Sequence, residues 1–347
     1  MVKMRKIVIT GHNGYIGSVL ALLLIKKGYE VVGIDTEYYD SACELFTPEF
    51  KRLRQIKKDV RRIDERDIAG TYAICHLAGL SNDPVGALNE ELTYDINYRA
   101  SLRLAKLSKR AGVEKFIFSS SCSMYGKNDD DVLTESAAFS PITAYAKSKV
   151  LSEKEIIPLN SKDFSVTFLR NSTAYGISPK LRTDLVVNNL VGWALTTGNI
   201  KIMSDGTPWR PLMHVEDISR AFLAVIEAPK EAVSGESFNV GVNSENYQVK
   251  DIALIVKQVM PGCEVVFSRE HGDDSRSYKV NFDKISSHMP HFKPQWDLKK
   301  GVEQICDYYK KFGMDQDRFN GRYFIRLKQV KYLLENNKLD QGLFWKE

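Results

Sequence analysis

The sequence has no long apolar run. The longest, Val19–Ile25, is seven residues and is closed by Lys26 and Lys27, whereas a helix needs about 20 apolar residues to cross a bilayer. The amino end, "MVKMRKIVIT", has basic residues but too short an apolar stretch for a secretory signal, so the chain reads as cytosolic and not membrane-bound. Cysteine is sparse: Cys43, Cys75, Cys122, Cys263 and Cys306 form an odd, dispersed set without a C-x-x-C pair. That excludes a disulfide framework and a structural zinc site. His288 and His291 of "HMPH" lack companion ligands and read as surface residues rather than a metal site. Strong charge is lacking too. A formal charge of +5 over 347 residues suits an anionic small substrate, but nucleic acid would need a clustered basic face. The densest basic stretch, "KRLRQIKKDVRR" (51–62), is broken by Asp59 and reads as a solvated loop and helix surface. There is no internal repeat, low-complexity tract or heptad pattern.

What is present is a soluble composition, 43% hydrophobic and 27% charged, in a chain long enough for one large domain or two moderate ones. Short apolar runs, "KIVIT" (6–10), "EVVGI" (30–34), "AICHLAG" (73–79), "KFIFSSS" (115–121) and "SVTFLR" (165–170), predict strands. They are continuously apolar, the mark of strands buried on both faces of a parallel sheet. Between them, 18–27, 97–111 and 144–157 repeat apolar residues at helical spacing. The alternation predicts a doubly wound α/β fold with right-handed crossovers. After Gly176 the pattern loosens into a smaller lobe interwoven with the end of the sheet. The last 30 residues predict one amphipathic helix near 325–334 and a loose end, and no function is assigned to them.

"ITGHNGYIG" places Gly11, Gly14 and Gly17 between the first strand and first helix, with Asn13, Tyr15 and Ile16 in the same loop. The first glycine permits a tight turn, the second lets backbone approach a pyrophosphate, and the third allows close packing. The helix N-terminus supplies N–H groups to the phosphates. Asp35 closes the second strand, placed to accept from both ribose hydroxyls of an adenosine. It is followed by Thr36 and Glu37 rather than arginine, so a 2′-phosphate would be repelled and NAD is favoured over NADP. Asp59 and Val60 are candidates to flank the adenine.

"YAKSK" sets Tyr145 and Lys149 four residues apart, on one helix face. A phenol, with a reference pKa near ~10, is a poor base at neutral pH, and an adjacent ammonium stabilises its phenolate. Of the sixteen tyrosines only Tyr145 has a lysine four residues on. The pair lies one crossover after the fourth predicted strand, next to the serine cluster "SSSCSMYG" (119–126).

Taken with "HLAGLS", "DINYRAS", "RPLMHVEDI" and "DSRSYKVNFDKI", these motifs resemble the extended short-chain dehydrogenase/reductases of the nucleotide-sugar epimerase/dehydratase group, over about residues 5–310. The resemblance implies a Rossmann-type NAD-binding domain over 1–172, to which segments near 211–241 return. It also implies a substrate lobe over 173–315, and 316–347 remain as a C-terminal helical tail. Ser121, Tyr145 and Lys149 would be catalytic, with Asn97 holding the lysine through water. Leu77, Ala78 and Gly79 would border the cofactor. The sugar nucleotide would meet Ser81, Ser121, Ser123, Thr173 and Asn188, with Arg210 and Arg276 clamping its diphosphate, because two guanidiniums can each bond phosphate oxygens bidentately. The reaction implied is transient oxidation of a sugar hydroxyl at carbon 4 and return of the hydride to the other face. A homodimer joined through 97–111 and 144–157 would also follow from the resemblance.

Two positions depart from the 4-epimerase pattern. Thr173 stands where a substrate-contacting asparagine is usual, with Asn171 two positions earlier, and Ser81 stands where a basic residue is usual. The 4,6-dehydratases carry an Asp-Glu pair directly after the catalytic Ser or Thr, where this chain has Cys122 and Ser123. A nucleotide-sugar dehydrogenase or keto-sugar reductase is the alternative, and a non-catalytic NAD-binding regulator a more distant one. If the strand stays extended, Ser119, Ser121 and Ser123 share one face and Ser120 and Cys122 the other.

Overall fold

The structure, a computed structural model, describes residues 4–39, 53–81, 89–268 and 276–346, leaving aside the side chains of 129–131. Cys43 lies outside the described residues. Seven parallel strands make the main sheet: β1 (Lys6–Thr10), β2 (Glu30–Asp35), β3 (Arg54–Lys57), β4 (Ala73–His76), β5 (Lys115–Ser121), β6 (Ser165–Asn171) and β7 (Glu236–Val240), in the order β7-β6-β5-β4-β1-β2-β3. Crossovers include α1 (Tyr15–Lys26), α2 (Ala100–Arg110), α3 (Ala144–Ile156) and, after a helix α4 (Val186–Thr197) outside the sheet, α5 (Val215–Glu227). The strand order reverses between β1 and β4, which opens a crevice at their carboxyl ends where ligands of such sheets sit.

The strands are apolar throughout because both faces are covered. Ile7, Ile9, Cys75 and Ile117 pack with Leu20 and Leu24 of α1 and Ile218 and Phe222 of α5. Val8, Val32, Ile74, Phe116 and Phe118 pack the other way, against Leu104 of α2 and Ile156 of α3. A third apolar cluster lies outside the sheet, where Val187 and Leu190 of α4 meet Ile305 and Tyr309 of α6 (Leu298–Phe312).

Two sequence expectations change. The basic stretch 51–62 is more than loop and helix surface. Arg54–Lys57 is the edge strand β3, with Ile34 opposite Ile56 and Asp35 opposite Lys57. An edge strand needs no continuous apolar run, and this one is largely exposed. The tail is not loose either. Helix α7 (Arg326–Glu335) and the turn after it bury Val330, Leu333, Leu339 and Leu343 in the same layer as Val32 and Ile34. No helix among the described residues is long and apolar enough to cross a membrane.

Candidate active site

A cavity of about 500 Å³ lies along the carboxyl ends of β1, β2, β4, β5 and β6. Lys58, Lys149, Arg182, Arg210, Arg276 and Arg326 border it, against Asp35, Asp59 and Asp184. The excess of cations fits a ligand carrying several negative charges.

At one end is the glycine loop. Gly11 has φ +77°, and a Cβ there would stand 2.7 Å from the Ala78 nitrogen. Only glycine satisfies both the left-handed turn and the close approach to the chain after β4. A Cβ on Gly17 would strike the Gly11 carbonyl, so the third glycine closes the loop on itself. Gly14 caps α1 without a side-chain hydrogen bond, and the first turn carries no acidic residue. The N–H groups and positive end of a 12-residue helix are thereby left for an anion. Gly11, Gly14, Tyr15, Ile16 and Gly17 border the cavity. The Tyr15 phenol points elsewhere, donating to the Gly176 carbonyl at 2.6 Å, and burial raises its pKa above the usual tyrosine range. Asn13 contributes its backbone, whose N–H donates to Asp35 Oδ2 at 3.0 Å.

Asp35 Oδ1 accepts from the Glu37 N–H at 2.8 Å, so both carboxylate oxygens are oriented by backbone before any ribose arrives. Asp59 is committed within the protein. It accepts from the Arg61 backbone N–H at 2.8 Å and holds the same guanidinium at 2.9 and 2.7 Å. Val60 follows it at the cavity wall, as do Leu77, Ala78 and Gly79 across from the glycine loop. This cradle fits a dinucleotide: a tight glycine turn, an uncapped helix start and a carboxylate at the end of β2.

At the other end are the serines, Tyr145 and Lys149. Thr143 Oγ1 accepts from the Ala146 N–H at 3.2 Å and starts α3, which places Tyr145 in the first turn, half-buried at the cavity wall. The positive end of that helix favours negative charge there. Lys149, one turn on, donates from Nζ to the Ser119 carbonyl at 2.7 Å, and its ammonium lies 5.7 Å from the Tyr145 ring centroid. Burial pushes the Lys149 ammonium down to about 8, with Glu153 opposing the shift. Glu153 is itself held by Arg170 of β6 through three contacts of 2.7–3.1 Å, and Arg170 also reaches the Tyr125 hydroxyl. This buried ion pair fixes α3 against the sheet.

Strand β5 ends at Ser121, and Cys122–Tyr125 turn as a 3₁₀ helix. The turn brings Ser121 Oγ to 2.9 Å from Ser123 Oγ. Cys122 points into the core, where its Sγ donates to the Arg170 carbonyl at 3.1 Å and burial raises its pKa above the usual thiol range. Strict alternation does not hold for Ser120, which borders the cavity along with Ser119, Ser121 and Ser123.

Asn97 occupies a π-helical turn, Asp95–Arg99, just before α2. Its Oδ1 accepts from the Leu80 N–H at 2.7 Å, and its Nδ2 donates to the Leu80 carbonyl and Ser148 Oγ at 3.1 and 3.4 Å. Its own carbonyl accepts from Ser101 and Ser152. Among the described residues it makes no direct hydrogen bond to Lys149. It ties the loop after β4 to α3, a positioning role.

Arg210 and Arg276 border the cavity together, and Arg210 donates to the Arg276 carbonyl. Ser81, Asn171 and Thr173 also border it; Asn171 Nδ2 donates to Ser119 Oγ at 3.0 Å. Asn188 does not face the cavity. It is fully buried and bonds Gly176, the Tyr15 hydroxyl and the Arg182 carbonyl, while its neighbour Asn189 lines the wall. Sequence reasoning also passed over Arg182, Asp184 and Arg326. The first two lie in a loop without a motif, and the third is in the tail.

Comparison with known proteins agrees with this geometry. The profile of the "NAD dependent epimerase/dehydratase family" matches residues 7–241. The UDP-glucose 4-epimerase of Bacillus subtilis is 25% identical, over 86% of this chain and 94% of that protein. In fold, the chain resembles the UDP-glucose 4-epimerase of Thermotoga maritima, solved with UDP-glucose (TM-score 0.78, 24% identity, 88% of this chain and 99% of that one). It likewise resembles the UDP-glucuronic acid 4-epimerase of Bacillus cereus, solved with UDP-glucuronic acid and NAD (TM-score 0.76, 24% identity, 88% and 99%). With more than half its length matched by that profile, the chain belongs to the NAD-dependent epimerase/dehydratase family.

Proposed function

We propose that this protein is an NAD-dependent nucleotide-sugar 4-epimerase with Tyr145 as its base. The observation that carries the reading is the make-up of the cavity's catalytic end. Ser121, Tyr145 and Lys149 border it, and the acidic residues that line the cavity are Asp35, Asp59 and Asp184. Asp59 is paired with Arg61 and Asp184 with Arg182. A sugar held there meets groups that can take a hydroxyl proton, but no carboxyl at positions 122–123 to drive dehydration.

The chemistry that bound NAD supplies is reversible acceptance of hydride from the sugar carbon. The protein supplies the rest. Lys149 holds positive charge one turn from Tyr145, and the start of α3 adds to it, so the phenolate is stabilised. Tyr145 removes the proton from the carbon-4 hydroxyl as that carbon is oxidised, and returns it after the keto-sugar has turned over. Ser121 bonds the same oxygen, and Ser123, 2.9 Å from it, orients that hydroxyl. Arg210 and Arg276 hold the diphosphate, so the sugar can rotate about a fixed anchor.

The test is Tyr145→Phe assayed on UDP-, GDP-, CDP- and dTDP-sugars. The variant should bind NAD like wild type and lose turnover by about 10²-fold or more. Wild-type protein that binds NAD yet turns over no sugar would defeat the reading, and net NADH accumulation would favour a dehydrogenase.

A further inference from the structure

Arg326 comes from the tail yet borders the cofactor cavity. It is 3% exposed. Its Nη2 donates to the Lys180 carbonyl at 2.9 Å, and its guanidinium lies 4.2 Å from the Tyr39 ring centroid. Among the described residues no carboxylate lies within ion-pair distance of it. Its neighbour Arg182 does have one, held by Asp184 through two 2.9 Å contacts. A buried guanidinium with no carboxylate in contact is costly, even with the charges of Asp184 and Asp35 acting on it from farther off, and such groups are kept where something completes them. Burial and Arg182 together push the Arg326 guanidinium down to about 10.

The surroundings say what completes it. Arg182, Asp184 and Arg326 line the same cavity as Gly11 and Gly14 of the glycine loop. The start of α1, with its uncapped N–H groups, borders that cavity too. The tail also holds the chain just beyond Asp35. Gln329 Nε2 donates to the Tyr38 carbonyl at 3.0 Å, Trp345 Nε1 donates to the Thr36 carbonyl at 2.6 Å, and the Tyr38 hydroxyl donates to the Leu343 carbonyl. The tail is thus fastened to the segment following Asp35, and its Arg326 lines the same cavity as the glycine loop.

We propose that Arg326 is a cofactor-binding residue that meets the dinucleotide's diphosphate, so that the C-terminal segment is a working part of the cofactor site. This rests on the reading that the cavity takes NAD. The anionic partner could instead be the diphosphate of the sugar nucleotide, and the ligands chosen separate the two.

Binding of NAD, adenosine and UDP is measured by calorimetry for wild type, Arg326→Gln and Arg326→Lys. Arg326→Gln should raise the Kd for NAD about tenfold, the loss of one charge-assisted contact, and leave adenosine and UDP within about twofold. Arg326→Lys, which keeps the charge but not the planar fork, should lose about threefold for NAD alone. An unchanged Kd for NAD overturns the proposal. So does equal weakening of adenosine, which would mean the residue only shapes the fold, or weakening confined to UDP. If Arg326→Gln does not fold, as judged by circular dichroism, Arg326→Lys decides by the same comparison. Failure of wild type to bind NAD would instead overturn the cofactor reading itself, and this proposal with it.

Discussion

Replacing Lys149 with methionine should stabilise the ligand-free protein while destroying its activity. Methionine has nearly the length of lysine and needs no solvation. Lys149 is 6% exposed, and burial lowers the pKa of its ammonium from 10.5 to about 8. That lowering corresponds to about 3 kcal/mol of folding free energy lost at neutral pH by keeping the group charged. Methionine also gives up the hydrogen bond to the Ser119 carbonyl, which offsets about 1 kcal/mol. Lys149→Met should therefore be more stable at pH 7 by about 2 kcal/mol. The pH dependence carries a sharper signature. Between about pH 8 and 10.5 the unfolded chain holds the lysine proton and the folded chain does not. Wild-type stability therefore rises with pH relative to the variant, and the gap narrows by about 1.4 kcal/mol per unit. Urea denaturation of both proteins from pH 7 to 10 reads this directly. A variant less stable than wild type at pH 7, or a gap that does not change with pH, would refute the reasoning.

Two further substitutions test the arrangement around Lys149. Ser121→Ala should lower kcat by about 10²-fold, whereas Cys122→Ala, whose thiol points at the Arg170 carbonyl in the core, should keep most activity; equal losses in steady-state assays would contradict the assignment. Glu153→Ala leaves Arg170 buried without its partner and should cost about 3–5 kcal/mol in denaturant unfolding, and a loss below about 1 kcal/mol would show that the pair does not anchor α3.

Legibility in the sequence followed from how local each signal was. The strands β1, β2, β4, β5 and β6 could be read because burial on both faces leaves continuous apolar runs. The glycine loop and the Tyr145–Lys149 pair could be read because their chemistry depends on fixed short spacings. Strand β3 was missed because an edge strand can stay polar: in Arg54–Lys57 only Ile56 is apolar. Asn188 looked available as a polar residue on a helix, but its amide is consumed by Gly176, Tyr15 and Arg182, and no pattern within the helix announces that. Arg326 was out of reach for the same reason on a longer scale. The tail meets the chain after β2 through pairs such as Gln329 and Tyr38, 291 positions apart, and a single sequence holds no periodic trace of such a contact.

The central claim, transient oxidation at one sugar carbon by a cofactor that is not consumed, is tested by following a label. A nucleotide sugar that the protein turns over, carrying deuterium at carbon 4, is incubated with it in ordinary water, and substrate and product are separated and examined by NMR. The account predicts the 4-epimer with deuterium still on carbon 4 and no net NADH. Loss of deuterium to solvent, elimination of water from the sugar, or NADH formed in step with product would contradict it.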